Sequence, residues 1–280
     1  MAETTISLPP EAAKYARMFK KSMPMQIKMH ETLRSLGSTE GENGLDIGAD
    51  NGMMSYHLRK RGGNWNTVVT SAAAAQSVRD VVKDNVYVLD KMALPFKEKT
   101  FDAVVILGNL ENIQADDAFI EECHRVLKTD GRLILNVPHV KDWSLINILR
   151  AVLGLTPEKR GMVRAGYSES QLFGILKHGF DVHNMRSFSR FFLEFTDTVA
   201  QFLAGRPGKG VEGVEKRRLK IYSVFSPLYW LAFQLDMLLF FTRGHHLIAL
   251  AKRRAWRPRH APVLVDGRSI SEAVLTKPAE

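Results

Sequence analysis

The chain has 280 residues, with 45% hydrophobic and 25% charged side chains, an ordinary globular balance with room for one α/β domain and an elaboration, or two small domains. Its single cysteine, Cys123, excludes an internal disulfide and fits a reducing, cytoplasmic setting. The net charge of +9 favours anionic partners: phosphates, acidic glycans, nucleic acid or an inner membrane surface.

The first 21 residues carry no apolar core of signal-peptide type. Residues 10–36 read as helix broken at Pro24, with Tyr15, Met18 and Phe19 on one face and basic side chains opposite. GLDIGADNG (44–52) reads as a short buried strand entering a glycine-bracketed turn. A helix follows from Met53 to Arg61, closed by Gly62-Gly63. Asn66–Thr70 reads as strand, Ala72–Lys83 as helix and Val86–Leu89 as strand. The apolar run Phe101–Leu107 is of the doubly buried kind. Ala115–Lys128 reads as helix, Thr129-Asp130-Gly131 as a turn and Arg132–Val137 as strand. This alternation implies a parallel sheet covered on both faces, with ligands at the carboxyl ends of the strands.

Beyond residue 140 the pattern changes. Trp143–Leu155 reads as an apolar helix. Ser168-Glu169-Ser170-Gln171 is a capping-box sequence opening a helix through Lys177, and Gly179-Phe180 starts another strand. Phe188, Phe191, Phe192, Phe195, Val199 and Phe202 recur at helical spacing. Residues 205–213 read as a flexible link, Ser226-Pro227 as the start of a helix to Arg243, and His246–Lys252 as a last strand. The tail after Arg257 reads as irregular.

Three blocks, in order and at fitting intervals, carry a resemblance: GLDIGADNG, then LDKMALPFKEKTFDAVVILGNLENI (89–113), then ECHRVLKTDGRLILNVP (122–138). Together they resemble a class I S-adenosylmethionine-dependent methyltransferase, over roughly residues 40–185 plus the last strand. The resemblance implies a Rossmann-like seven-stranded α/β sheet with helices on both faces and a helical elaboration before the last strand. It implies an N-terminal helical segment (1–40), a cofactor-binding core (41–186), an apolar helical insertion facing acceptor or membrane (187–244), and a last strand with a basic tail (245–280).

The implied cofactor is S-adenosylmethionine. Gly48, Ala49, Asp50 and Gly52 would form the turn at its methionine part, where glycine lets backbone N–H groups approach. Asp50-Asn51 stands where the family often has glycine; both residue types tolerate left-handed geometry. Asp46 would orient the methionine amino end. Asp90 matches the acid that takes the adenine amino group, with Lys91, Met92 and Leu107 nearby. One departure concerns the end of strand two. The family usually has a carboxylate there for the ribose hydroxyls, and this chain has Thr70-Ser71. A neutral acceptor in its place costs about 1.5–3 kcal/mol, or one to two decades of affinity.

Catalytic candidates lie at the ends of strands four and five. Asn109, Glu111 and Asn112 follow strand four, where the family often has a Glu-His pair, and Asn112 stands in place of that histidine. His139 is the candidate base. His245 and His246 border the last strand and read as structural, and Cys123 reads as packed.

The run 226–241 is too short for a spanning helix and holds Gln234 and Asp236 near its centre. The expectation is a helix packed on the sheet between strands six and seven. Lys216–Arg218 and Lys252–Arg254 flank this apolar part, which makes an anionic membrane surface a candidate partner. No nucleic-acid module is recognisable. The sequence thus points to a cytoplasmic methyltransferase acting on a small-molecule or lipid-linked acceptor, peripheral to the inner membrane surface. The alternative is a non-catalytic methyltransferase-like scaffold.

Overall fold

The computed structural model describes residues 12–48, 51–89, 92–141, 143–160, 162–205 and 212–254. Two helices, α1 (Ala13–Lys21) and α2 (Met23–Leu36), lead into alternating β1 (Asn43–Ile47), α3 (Met53–Arg59), β2 (Asn64–Val69), α4 (Ala72–Val82), β3 (Val86–Val88), β4 (Phe101–Leu107), α5 (Asp116–Val126) and β5 (Leu127–Pro138). The rest comprises α6 (Leu145–Val152), α7 (Glu169–Leu176), β6 (Phe180–Phe188), α8 (Phe191–Ala204), α9 (Glu212–Leu238) and β7 (His246–Arg253).

The strands form one seven-stranded sheet in the order β3-β2-β1-β4-β5-β7-β6. Strands β1 to β5 pair in parallel, whereas β7 runs antiparallel to both β5 and β6. Strand order reverses between β1 and β4, so a crevice opens at their carboxyl ends.

The apolar run of β4 is explained by burial on both faces. Val104 and Ile106 join a core with Leu45, Phe119 and Leu172. Ala103, Val105 and Leu107 point the other way, to Leu36, Leu58 and Trp65, as a period of two requires. The α7 capping box forms as expected: Ser168 Oγ accepts from the Gln171 N–H, and the Gln171 side chain accepts from the Ser168 N–H.

Several elements differ from the sequence-based expectation. The first helix breaks at Ser22, and Pro24 sits in the first turn of α2, where its missing N–H costs nothing. Thr129-Asp130-Gly131 lies within the bounds of β5; Asp130 takes φ 62°, and the pairing register shifts between Phe101 and Ala103, so the turn residues form an irregularity in the strand. Phe188 ends β6 instead of joining the following helix.

The largest difference is α9. It starts at Glu212 and passes through Pro227 to Leu238. Tyr222 and Tyr229, on either side of the proline, are buried and stacked on each other, and this packing overrides the local helix-start signal. The helix packs on α8 and α1, outside the sheet layer. Asp236 is buried because it caps α8: its carboxylate accepts from the N–H groups of Arg190 (2.9 Å), Phe192 (2.8 Å) and Leu193 (3.4 Å). No helix among the described residues is long and apolar enough to cross a membrane. The tail after Arg257 lies outside the described residues.

Candidate active site

The turn after β1 is built for glycine. Gly48 has φ 88° and Gly52, which precedes α3, has φ 76°, both in the left-handed region. A Cβ on Gly48 would stand 2.5 Å from Asn109 Cβ, and one on Gly52 would stand 2.9 Å from Val81 Cβ. The turn is therefore pressed against the β4 end on one side and against α4 on the other. Ala49 and Asp50 lie outside the described residues, as do Asp90 and Lys91.

Asp46 is fully buried beneath this turn. Ser55 Oγ donates to one carboxylate oxygen, Thr67 Oγ1 donates to the other at 2.8 Å, and an Arg59 nitrogen lies 3.6 Å away. Burial raises its pKa, and Arg59, Ser55 and Thr67 only partly offset this. The carboxylate thus ties β1, β2 and α3 together under the glycine turn.

At the end of β2, Thr70 and Ser71 are both exposed. Ser71 Oγ already accepts from the Ala74 N–H at 3.2 Å as the cap of α4, whereas Thr70 has no such bond among the described residues. Met92 is exposed with φ 66°, and Leu107 is buried in the core.

The candidate acid–base residues come together at the ends of β4 and β5. Asn109 is buried; its Oδ1 accepts from Asn112 Nδ2 at 3.0 Å, and its Nδ2 has no partner among the described residues. Glu111 and His139 both line a cavity of about 490 Å³, walled on its other sides by α6 and α8. His139 Nδ1 lies 2.9 Å from the Gly244 carbonyl. A carbonyl only accepts, so Nδ1 carries the proton and Nε2 keeps its lone pair. Burial pulls the His139 pKa below its ordinary value, against the opposing effect of the Gly244 hydrogen bond.

The same cavity holds residues that sequence reasoning missed. Lys28 from α2, Arg150 from α6, and Glu194 and Asp197 from α8 line it, together with His245 and His246, which had read as merely structural. Glu194 is buried yet held well below the usual carboxylate range: burial opposes ionisation, but His246 Nε2 (3.4 Å), Arg150 (2.6 Å) and Ser189 Oγ (2.6 Å) outweigh it. Asp197 accepts from the Tyr229 hydroxyl at 2.8 Å. The available signal was the acidic pair within the phenylalanine series; two carboxylates on an apolar helix need partners. Cys123 is packed in the core, and burial pushes its thiol pKa up. Among the described residues, no cluster of three His, Cys, Asp or Glu side chains suited to a metal is present.

Comparison with known proteins agrees with this geometry. The methyltransferase domain family model matches residues 45–135, from the glycine-turn strand through most of β5. A demethylmenaquinone methyltransferase of Tropheryma whipplei (strain Twist) is 32% identical over 105 residues, covering 36% of this chain and 44% of that protein. The ubiquinone/menaquinone biosynthesis C-methyltransferase UbiE of Chromobacterium violaceum is 34% identical over 119 residues, covering 39% of this chain and 48% of that protein. The chain thus spans less than half the length of these relatives. A solved geranyl diphosphate C-methyltransferase from Streptomyces coelicolor A3(2) shares the fold, with a TM-score of 0.52 over 82% of this chain and 78% of that one, at 16% identity. Over residues 45–135 the chain is thus similar to the methyltransferase domain family, and it shares the fold of solved S-adenosylmethionine-dependent methyltransferases. The scaffold alternative finds no support among these named enzymes.

Proposed function

We propose that this chain transfers a methyl group from S-adenosylmethionine to a small-molecule or lipid-linked acceptor held in the cavity between β4, β5, α6 and α8. The supporting observation is adjacency. Gly48 packs on Asn109, and Gly108 and Glu111 beside it open into the cavity, so the cofactor turn and a polar acceptor pocket share one pair of strand ends. The buried Nδ2 of Asn109, packed against Gly48 and without a hydrogen-bond partner among the described residues, fits a bound polar cofactor. S-adenosylmethionine, when bound, supplies an electrophilic methyl group on a sulfonium centre.

The protein's part is binding, alignment and proton removal. The turn Gly48–Gly52, with Ala49 and Asp50, would hold the methionine end, and Asp46 would orient it by fixing that turn. Thr70 and Ser71 would take the ribose hydroxyls, Asp90 would take the adenine amino group, and Lys91, Met92 and Leu107 would complete the cofactor site. His139 Nε2 takes the proton the acceptor loses, while Asn109 and Glu111 orient the acceptor. Residues 41–186 would thus hold the cofactor and supply most of the acceptor cavity, which α8 from residues 187–244 closes.

The relatives are named for quinone biosynthesis, which suggests a polar ring with an apolar tail. We place the reaction in the cytoplasm, at an anionic inner membrane surface. The test is incubation with methyl-labelled S-adenosylmethionine and reduced demethylmenaquinone or a total lipid extract. Label should enter the organic phase, and Gly48→Val should abolish this in a folded protein. His139→Ala should lower kcat by about 10²–10⁴-fold without raising KM for the cofactor. Absence of label in both acceptor samples would overturn the reading.

A further inference from the structure

Three helices of the second half, two of them cavity walls, are patterned inside out. In α6, Asn147 and Arg150 line the cavity, whereas Leu145, Ile148 and Val152 face outward, Val152 being 79% exposed. In α8, Glu194 and Asp197 are buried and Phe195, Phe202 and Leu203 are exposed. In α9, Asp236 is buried while Trp230, Leu231, Met237 and Leu238 are exposed. A helix facing water presents the opposite set, and scattered surface hydrophobics do not account for three such faces.

The chain segments beside α6 and α9 are tied together at one edge. Lys141 Nζ donates to the Arg243 carbonyl. Arg190 Nε and Nη2 donate to the carbonyls of Thr242 and Phe240, each at 3.3 Å. Trp143, 87% exposed, and Phe240 and Phe241, 77% and 73% exposed, therefore share a neighbourhood with Lys141, Arg190 and Arg243. The cavity lies just behind, since His139 bonds to Gly244 and His245 lines its wall.

Aromatic and aliphatic side chains ringed by lysine and arginine match the acyl layer and the anionic headgroup layer of a bilayer. We propose that this edge and the outer face of α6 dock on an anionic lipid surface, so that α6 forms a lipid-immersed wall of the cavity and the acceptor enters from the membrane. The proposal rests on reading the cavity as the acceptor site.

The single buried cysteine makes the test clean. Full-length Val152→Cys and, as a control at the opposite ends of the strands, Thr129→Cys would each carry an environment-sensitive nitrobenzoxadiazole label. Each would be mixed with vesicles of phosphatidylcholine containing phosphatidylglycerol. The label at 152 should shift to the blue and be quenched by nitroxide lipids; the label at 129 should do neither. Co-sedimentation should weaken at least tenfold in Leu145→Ser/Ile148→Ser/Val152→Ser, and in high salt for the parent protein. S-adenosylhomocysteine affinity, measured without lipid, should be unchanged in that variant, which shows that it folds. Equal quenching at both positions, or undiminished sedimentation of the triple variant, would overturn the proposal. So would a protein left in the supernatant that dimerises through this face. Vesicle binding without S-adenosylhomocysteine binding would leave the docking surface standing and remove the methyltransferase reading; the converse result would remove only the docking surface.

Discussion

The imidazole of His139 is held in one tautomer by the Gly244 carbonyl, and burial lowers its pKa from 6.5. The neutral, proton-accepting form therefore persists below pH 6.5. Methyl transfer should fall only as pH drops through that lowered value, and His139→Ala should erase this acidic limb of the kcat profile. His245 carries a stability prediction of its own. Burial depresses its pKa from 6.5 to about 4, so between these values the unfolded chain binds more protons. The native state keeps the full contribution above pH 6.5 and loses it as pH falls toward 4, by about 3 kcal/mol in all. Urea unfolding from pH 7 to 4 should show this slope, and His245→Gln should flatten it; an unchanged slope would discard the assignment. At this scale the glycine turn with Asp46 beneath it, and the strand-end positions of Asn109 and His139, were legible, because strand ends and glycine spacing are local features. Arg150, Glu194 and His246 were not, because their contacts join α6, α8 and β7, which are far apart in the chain.

Among the elements, α8 and α9 depend on each other through Asp236. Three backbone N–H groups at the α8 start have this carboxylate as their acceptor. Asp236→Ala should therefore destabilise the protein by about 2 kcal/mol, and Asp236→Asn by less. Pro227 sits within α9 and forgoes a backbone hydrogen bond, so Pro227→Ala should raise stability by about 1 kcal/mol or more. Urea midpoints of the variants would check both. The bounds of β4 and the helix start at Ala72 were legible, because apolar runs and capping signals are local. The start of α9 and the irregularity in β5 were not: in α9 the Tyr222–Tyr229 packing decides, and in β5 the pairing with β4 absorbs residues that read as a turn.

For the whole molecule, the strand order places the glycine turn of β1 beside the β4 end, and the sequence blocks foretold this through their order and spacing. What they did not show is how the second half closes the cavity. Helices α6 and α8 supply its remaining walls and turn apolar faces outward, a pattern that sequence alone reads as an ordinary core stripe. The turn closed by Gly48 and Gly52 is proposed to hold a nucleoside cofactor although Thr70-Ser71 stands where the family usually has a carboxylate. Calorimetric titration with S-adenosylmethionine and S-adenosylhomocysteine tests it most directly. Saturable binding of one molecule per chain is expected, one to two decades weaker than a carboxylate at the β2 end would give, and lost in Gly48→Val. No binding up to millimolar ligand would contradict it.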